Sequence, residues 1–122
     1  MIPVPRCILP LLFLSAPLWG RAQLLGQAEL DTIKEYHSLE SALREPDKVY
    51  RLQLTKRKYK EVPPEIRQLK NLNALDLGRN KLKELPEWMG ELAYMQEFRA
   101  PQNKFSEMPA VICRWPHLKR LD

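Results

Sequence analysis

The chain has 122 residues, of which 44% are hydrophobic and 29% charged, and its 20 lysines and arginines outnumber 15 acidic residues for a formal charge of +5. That length holds one domain at most. Four glycines, none of them clustered, exclude a glycine-rich phosphate loop, and the modest positive excess argues only weakly for acidic partners.

Taken in chain order, the first element is an export signal at residues 1–22. Arg6 supplies the positive charge, Cys7 to Trp19 is apolar, and Gly20 and Ala22 are the small residues a signal peptidase reads, so that Gln23 opens the mature chain. The apolar run falls short of the roughly 20 residues a membrane span needs. Pro10 and Pro17 interrupt it, and no cysteine stands at the cleavage point to carry a lipid. The alternative is an irregular hydrophobic tail packed on the end of the domain, in an intracellular chain that keeps Met1. Cleavage removes Arg6 and Arg21 and leaves 18 basic against 15 acidic residues, a charge of +3, with Cys113 as a lone, partly exposed thiol.

Residues 23–48 do not repeat and are expected to form a helical N-terminal cap. Leu30, Ile33 and Tyr36 or His37 have weak helical spacing. A clearer helix starts at Ser38, whose hydroxyl can cap it. Leu39, Ala42 and Leu43 give that helix one apolar face, and Pro46 ends it near Arg44.

From residue 49 onward the chain repeats every 23 residues. Leu52, Leu75, Phe98 and Leu121 share one position. So do Leu54, Leu77 and Ala100; Arg57, Asn80 and Asn103; Tyr59, Leu82 and Phe105; and Val62, Leu85 and Met108. Pro63, Pro86 and Pro109 follow, then Ile66, Met89 and Ile112, then Leu69, Leu92 and Trp115; Val49, Leu72, Met95 and Leu118 close the unit. A period of this length marks a solenoid, in which no coil buries its own apolar edge and neighbours share one core.

The middle copy, Leu72-Asn-Ala-Leu75-Asp-Leu77-Gly-Arg-Asn80-Lys-Leu82-Lys-Glu-Leu85-Pro86, reads LxxLxLxxNxLxxLP and resembles the leucine-rich repeat family. The likeness covers 49–122, about three repeats and the start of a fourth. The entry segment from Ser38 to Leu54 is similar to that of exported bacterial leucine-rich repeat proteins. The resemblance implies an α/β solenoid, with a parallel sheet on the concave face and short helices or 3₁₀ turns on the convex one. Leu75 and Leu77 point to one side of a short strand, and Asn80 serves backbone groups of its own turn and of the adjoining coil. Arg57 replaces the asparagine where no earlier coil is expected. Phe98 and Ala100 replace the two strand leucines as a large–small pair. Because Leu118 and Leu121 have no coil after them, the chain reads as the N-terminal part of a longer protein.

In this family the concave face is the binding face. Its outward columns are Arg51, Ala74, Glu97 and Arg120; Gln53, Asp76, Arg99 and Asp122; Thr55, Gly78 and Pro101; and Lys56, Arg79 and Gln102. The candidate partner-binding residues are therefore Arg51, Gln53, Thr55, Lys56, Asp76, Arg79, Glu97, Arg99, Gln102 and Arg120. The competing account is that Asp76, Arg99 and Asp122 only neutralise one another across strands. The run from Lys56 to Lys60 is a solvated turn rather than a nucleic-acid patch, because the columns mix both signs. His37 and His117 lack partners at metal-ligand spacing, and no catalytic constellation, metal site or cofactor site emerges.

The function expected is protein or peptide binding by an exported module, secreted, periplasmic or at the cell surface, without catalysis, nucleic acid or membrane insertion. The alternatives are the recognition arm of a larger enzyme, such as a receptor-like kinase or ubiquitin-ligase effector, and a cytoplasmic scaffold. Oligomeric state is left open.

Overall fold

A computed structural model describes residues 24–122; the export signal read at residues 1–22 lies outside them. Five short strands run parallel in one sheet in chain order: β1 (Glu35–Tyr36), β2 (Arg51–Gln53), β3 (Ala74–Asp76), β4 (Glu97–Arg99) and β5 (Arg120–Leu121). Leu52 pairs with Leu75, Leu75 with Phe98 and Phe98 with Leu121, which is the register the 23-residue period requires. After each proline at 63, 86 and 109 the chain turns through a 3₁₀ segment: Pro64–Gln68, Glu87–Glu91 and Ala110–Arg114. The result is a leucine-rich repeat solenoid. Its core is the stack of Leu52, Leu54, Ile66, Leu69 and Leu72 with their equivalents one and two coils on, almost all buried.

Helix α1 (Gln27–Thr32) precedes β1, and α2 (Leu39–Arg44) follows it. α2 forms where Ser38 and Pro46 bracket it. The Ser38 hydroxyl accepts the Ser41 backbone N–H at 3.2 Å, satisfying one of the donors a helix start leaves open.

Strand β1 has no counterpart in the sequence pattern. Tyr36 pairs with Leu52, only 16 residues on, so the period does not reveal it. Its ring nevertheless fills the leucine slot of the core, and its hydroxyl donates to Glu45 Oε2 at 2.9 Å. Residues 35–48 thus make an irregular coil ahead of the first repeat.

That extra coil changes the meaning of Arg57. The asparagine bridges run backwards along the solenoid. Asn80 Oδ1 accepts the backbone N–H of Arg57 (2.9 Å) and Tyr59 (3.2 Å), and Asn80 Nδ2 donates to the carbonyls of Leu54 (2.9 Å) and Leu77 (2.9 Å). Asn103 repeats this one coil later, accepting from Leu82 N (3.0 Å) and donating to Leu77 O (2.9 Å) and Ala100 O (3.1 Å). Arg57, expected to have no coil behind it, donates through its guanidinium to the carbonyl of His37. The longer side chain of Arg57 thus reaches the irregular coil behind it.

Two further expectations are corrected. Met108 belongs to the inward series with Val62 and Leu85, yet it is 44% exposed, because no coil among the described residues stacks beyond it. Cys113 is exposed rather than partly so.

Candidate functional site: the concave face

The register sets the outward side chains in columns. Arg51, Ala74, Glu97 and Arg120 are consecutive partners, as are Gln53, Asp76 and Arg99, and β1 extends the first column to Glu35. Asp122 joins the second column through backbone bonds to β4, its N–H on Phe98 O (3.0 Å) and its carbonyl on Ala100 N (2.9 Å). Neighbouring strands lie about 4.8 Å apart, so long side chains in a column reach one another.

The charges pair along the columns. Arg99 lies between Asp76 (3.9 Å) and Asp122 (3.3 Å), Arg120 meets Glu97 at 3.3 Å, and Arg51 meets Glu35 at 3.3 Å. The side chains of Arg99 and Arg120 are more than half exposed, so their pairs contribute about 0–1 kcal/mol each. They orient the side chains at little cost to release, which is what a recognition surface needs.

Further along the strands the face opens into a basin of about 500 Å³, lined among others by Gln53, Thr55, Lys56, Asp76, Arg79, Arg99 and Gln102. Lys56, Arg79 and Gln102 form its rim and share an unusual backbone, with φ of 57°, 57° and 55°. The left-handed region costs a non-glycine residue about 1–2 kcal/mol. At the first two of these turns the strain is held by backbone bonds to the next coil, Lys56 N to Gly78 O (3.2 Å) and Arg79 N to Pro101 O (2.8 Å). The Gly78 N–H is fixed by Asp76 Oδ1 at 2.8 Å, and a Cβ on Gly78 would sit 3.0 Å from that oxygen and 3.1 Å from Pro101. A larger residue at position 78 would therefore require the Asp76 or Pro101 side chain to give by a few tenths of an ångström.

The other end of the face is covered. Residues 24–33, including α1, cross the starts of β4, β3 and β2. Leu25 and Leu30 are buried with Ala74 in a small cluster separate from the main core, with Ile33 and Tyr50 packed beside it. The Leu25 N–H donates to Asn73 Oδ1 at 3.1 Å, and Gln96 Nε2 donates to Leu25 O and to Asn73 Oδ1, each at 2.7 Å. Gln27 Nε2 reaches Glu97 at 3.0 Å, and Arg51 reaches the Asp31 carbonyl at 3.3 Å.

The ten candidate residues thus divide. Gln53, Thr55, Lys56, Asp76, Arg79, Arg99 and Gln102 surround the open basin. Arg51 and Glu97 lie under the N-terminal segment, and Arg120 stands exposed at the last strand. Asn73 and Gln96 were missed. They occupy one repeat position, 23 residues apart, and both are buried amides. Two uncharged amides at matching positions, where the neighbouring coils carry Tyr50 and Lys119, were the available signal. Among the described residues no group of three His, Cys, Asp or Glu side chains could hold a metal ion, and no helix is long and apolar enough to cross a membrane.

No protein-family model and no curated protein matches the chain. Among solved structures, a leucine-rich repeat protein of Leptospira interrogans is similar, at 25% identity over 72% of this chain and 34% of that one, with a TM-score of 0.36. The chain spans about a third of that protein's length. At that score the superposition says nothing of the site; the solenoid is defined by its own register and its asparagine bridges.

Proposed function

We propose that this is an exported, non-catalytic module that binds a protein or peptide on the concave face, through the basin edged by Lys56, Arg79 and Gln102. The observation that carries the reading is the strained rim. Three long polar side chains are held outward on left-handed turns above columns of releasable ion pairs, on a rigid sheet, and strain of this kind gathers at binding sites. Export is supported by the sequence of residues 1–22; N-terminal sequencing of the expressed product beginning at Gln23 would sustain it, and one beginning at Met1 would sink it.

Binding can be tested without knowing the natural partner. Peptides selected from a random displayed library on the immobilised chain should lose at least tenfold in affinity to the Arg99→Glu and Arg79→Glu variants. They should change less than twofold with Lys70→Glu, an exposed site beyond the 3₁₀ turn on the convex side. Selected peptides that ignore both concave substitutions would overturn the assignment.

A further inference from the structure

Asn73 and Gln96 do more than close a coil. Asn73 is fully buried and Gln96 is 1% exposed, and their side-chain amides are turned toward the main chain of a residue 48 and 71 positions away. Between them they satisfy both the N–H and the C=O of Leu25, while Asn73 Nδ2 donates to Asn71 O at 2.6 Å and so fixes which way the amide faces. Reading a backbone donor and acceptor at one residue is how a surface recognises an extended peptide whatever its sequence. Selectivity comes from the Leu25 and Leu30 side chains, 8% and 1% exposed against Ala74.

The bound segment is poorly anchored to the rest of the molecule. α1 has six residues and no side-chain cap at its start, and an isolated helix that short is unstable in water. Its apolar contacts form a cluster of their own, while the main core from Tyr36 to Leu121 is complete without them. Elements with few buried contacts open at a fraction of the global free energy.

We propose that Asn73, Gln96 and Ala74 form a peptide-binding site which residues 24–33 fill as a built-in ligand, and that it accepts in trans a peptide with two leucine-like side chains five residues apart. This deepens the concave-face reading, adding a second subsite whose occupancy is controlled by the chain's own N-terminal segment. Tethering gives that segment an effective concentration of about millimolar, so a free peptide competes only when the segment is released.

The test uses the full chain and a fluorescent synthetic peptide of residues 24–33. Leu30→Asp puts a charge where the side chain is buried and should release the segment. The variant is expected to bind the peptide at least tenfold tighter than the unaltered chain, and Gln96→Met added to it should abolish that gain. In the unaltered chain, amides of residues 27–33 should exchange with deuterium at least a hundredfold faster than those of β3. Three results would overturn the proposal: no gain in a variant that keeps its near-UV signal, collapse of the whole fold by Leu30→Asp, or uniform exchange across α1 and β3. Loss of library peptides to Arg99→Glu reads the open basin alone, so either subsite can fail while the other stands.

Discussion

Trp115 lies tilted against Phe98, with ring centroids 5.1 Å apart and planes at 53°, and its indole N–H donates to the Met89 carbonyl at 2.7 Å. The pair explains the uneven third copy. Ala100 leaves space that a leucine fills in the earlier coils, and the larger rings at 98 and 115 make up the volume. Trp115→Leu, the residue type at Leu69 and Leu92, should therefore not be neutral. It leaves a void and a carbonyl without its donor, and is expected to cost about 2–4 kcal/mol. Urea unfolding measures this, and a loss below about 1 kcal/mol would mean the coil repacks freely.

Asn80 and Asn103 occupy one position but should differ in energy. Asn80 is buried and Asn103 is half-exposed, so water can replace the lost bonds only at the second. Asn80→Ala is expected to destabilise by about 3 kcal/mol and Asn103→Ala by about 1 kcal/mol. Equal losses in denaturant titrations would show that burial does not set the cost.

The rim strain can be read at Arg79. Arg79→Gly relieves the left-handed backbone but loosens the unfolded chain, for a net gain of at most about 1 kcal/mol. Arg79→Val is expected to lose about 1–2 kcal/mol, because a branched side chain tolerates φ near 57° poorly. Glycine at this position should also weaken binding at the basin while stability holds or rises. Thermal melts and peptide affinity of the same variant separate the two effects.

The Tyr36–Glu45 bond makes stability depend on pH at both ends. The hydrogen bond from Tyr36, then the charge of Lys48, holds the Glu45 carboxyl below its ordinary value. A lowered pKa adds stability that is present above the unfolded value, about 4.3 for glutamate, and is lost as the pH falls through the folded one. Burial, then the bond to Glu45, pushes Tyr36 above its ordinary value. That contribution is complete below about pH 10 and disappears as the pH rises through the raised value. Tyr36→Phe should lower the melting temperature most between about pH 5 and 9, with the difference from the unaltered chain shrinking on either side. A difference that stays constant from pH 3 to pH 7 would contradict the assignment.

How far the sequence could be read depended on what repeats. Leu52, Leu75, Phe98 and Leu121 declare their register because identical geometry recurs at a constant interval, and the 3₁₀ turns after Pro63, Pro86 and Pro109 follow from it. Tyr36 escaped because its coil is shorter than the others and its strand has two residues. Residues 24–33 could not be placed from pattern at all. Their position depends on side chains up to 71 residues away, a tertiary fact with no local imprint. The basin rim was legible as Lys56, Arg79 and Gln102, but their shared strain was not, since nothing in those side chains marks a left-handed turn as glycine would. Asn73 and Gln96 were visible as an amide pair, but their importance appears only once Leu25 sits against them.

The backward direction of the asparagine bridges has a consequence for how the protein is made. Asn80 completes the turn at Arg57 and Tyr59, and Asn103 completes the one at Leu82. Each turn is thus finished by a residue synthesised about two dozen positions later. On a ribosome, where the N-terminus emerges first, a coil would wait with open backbone groups until its successor appeared. Assembly would then trail translation by one repeat, and a stalled chain would always carry one unfinished turn at its growing end.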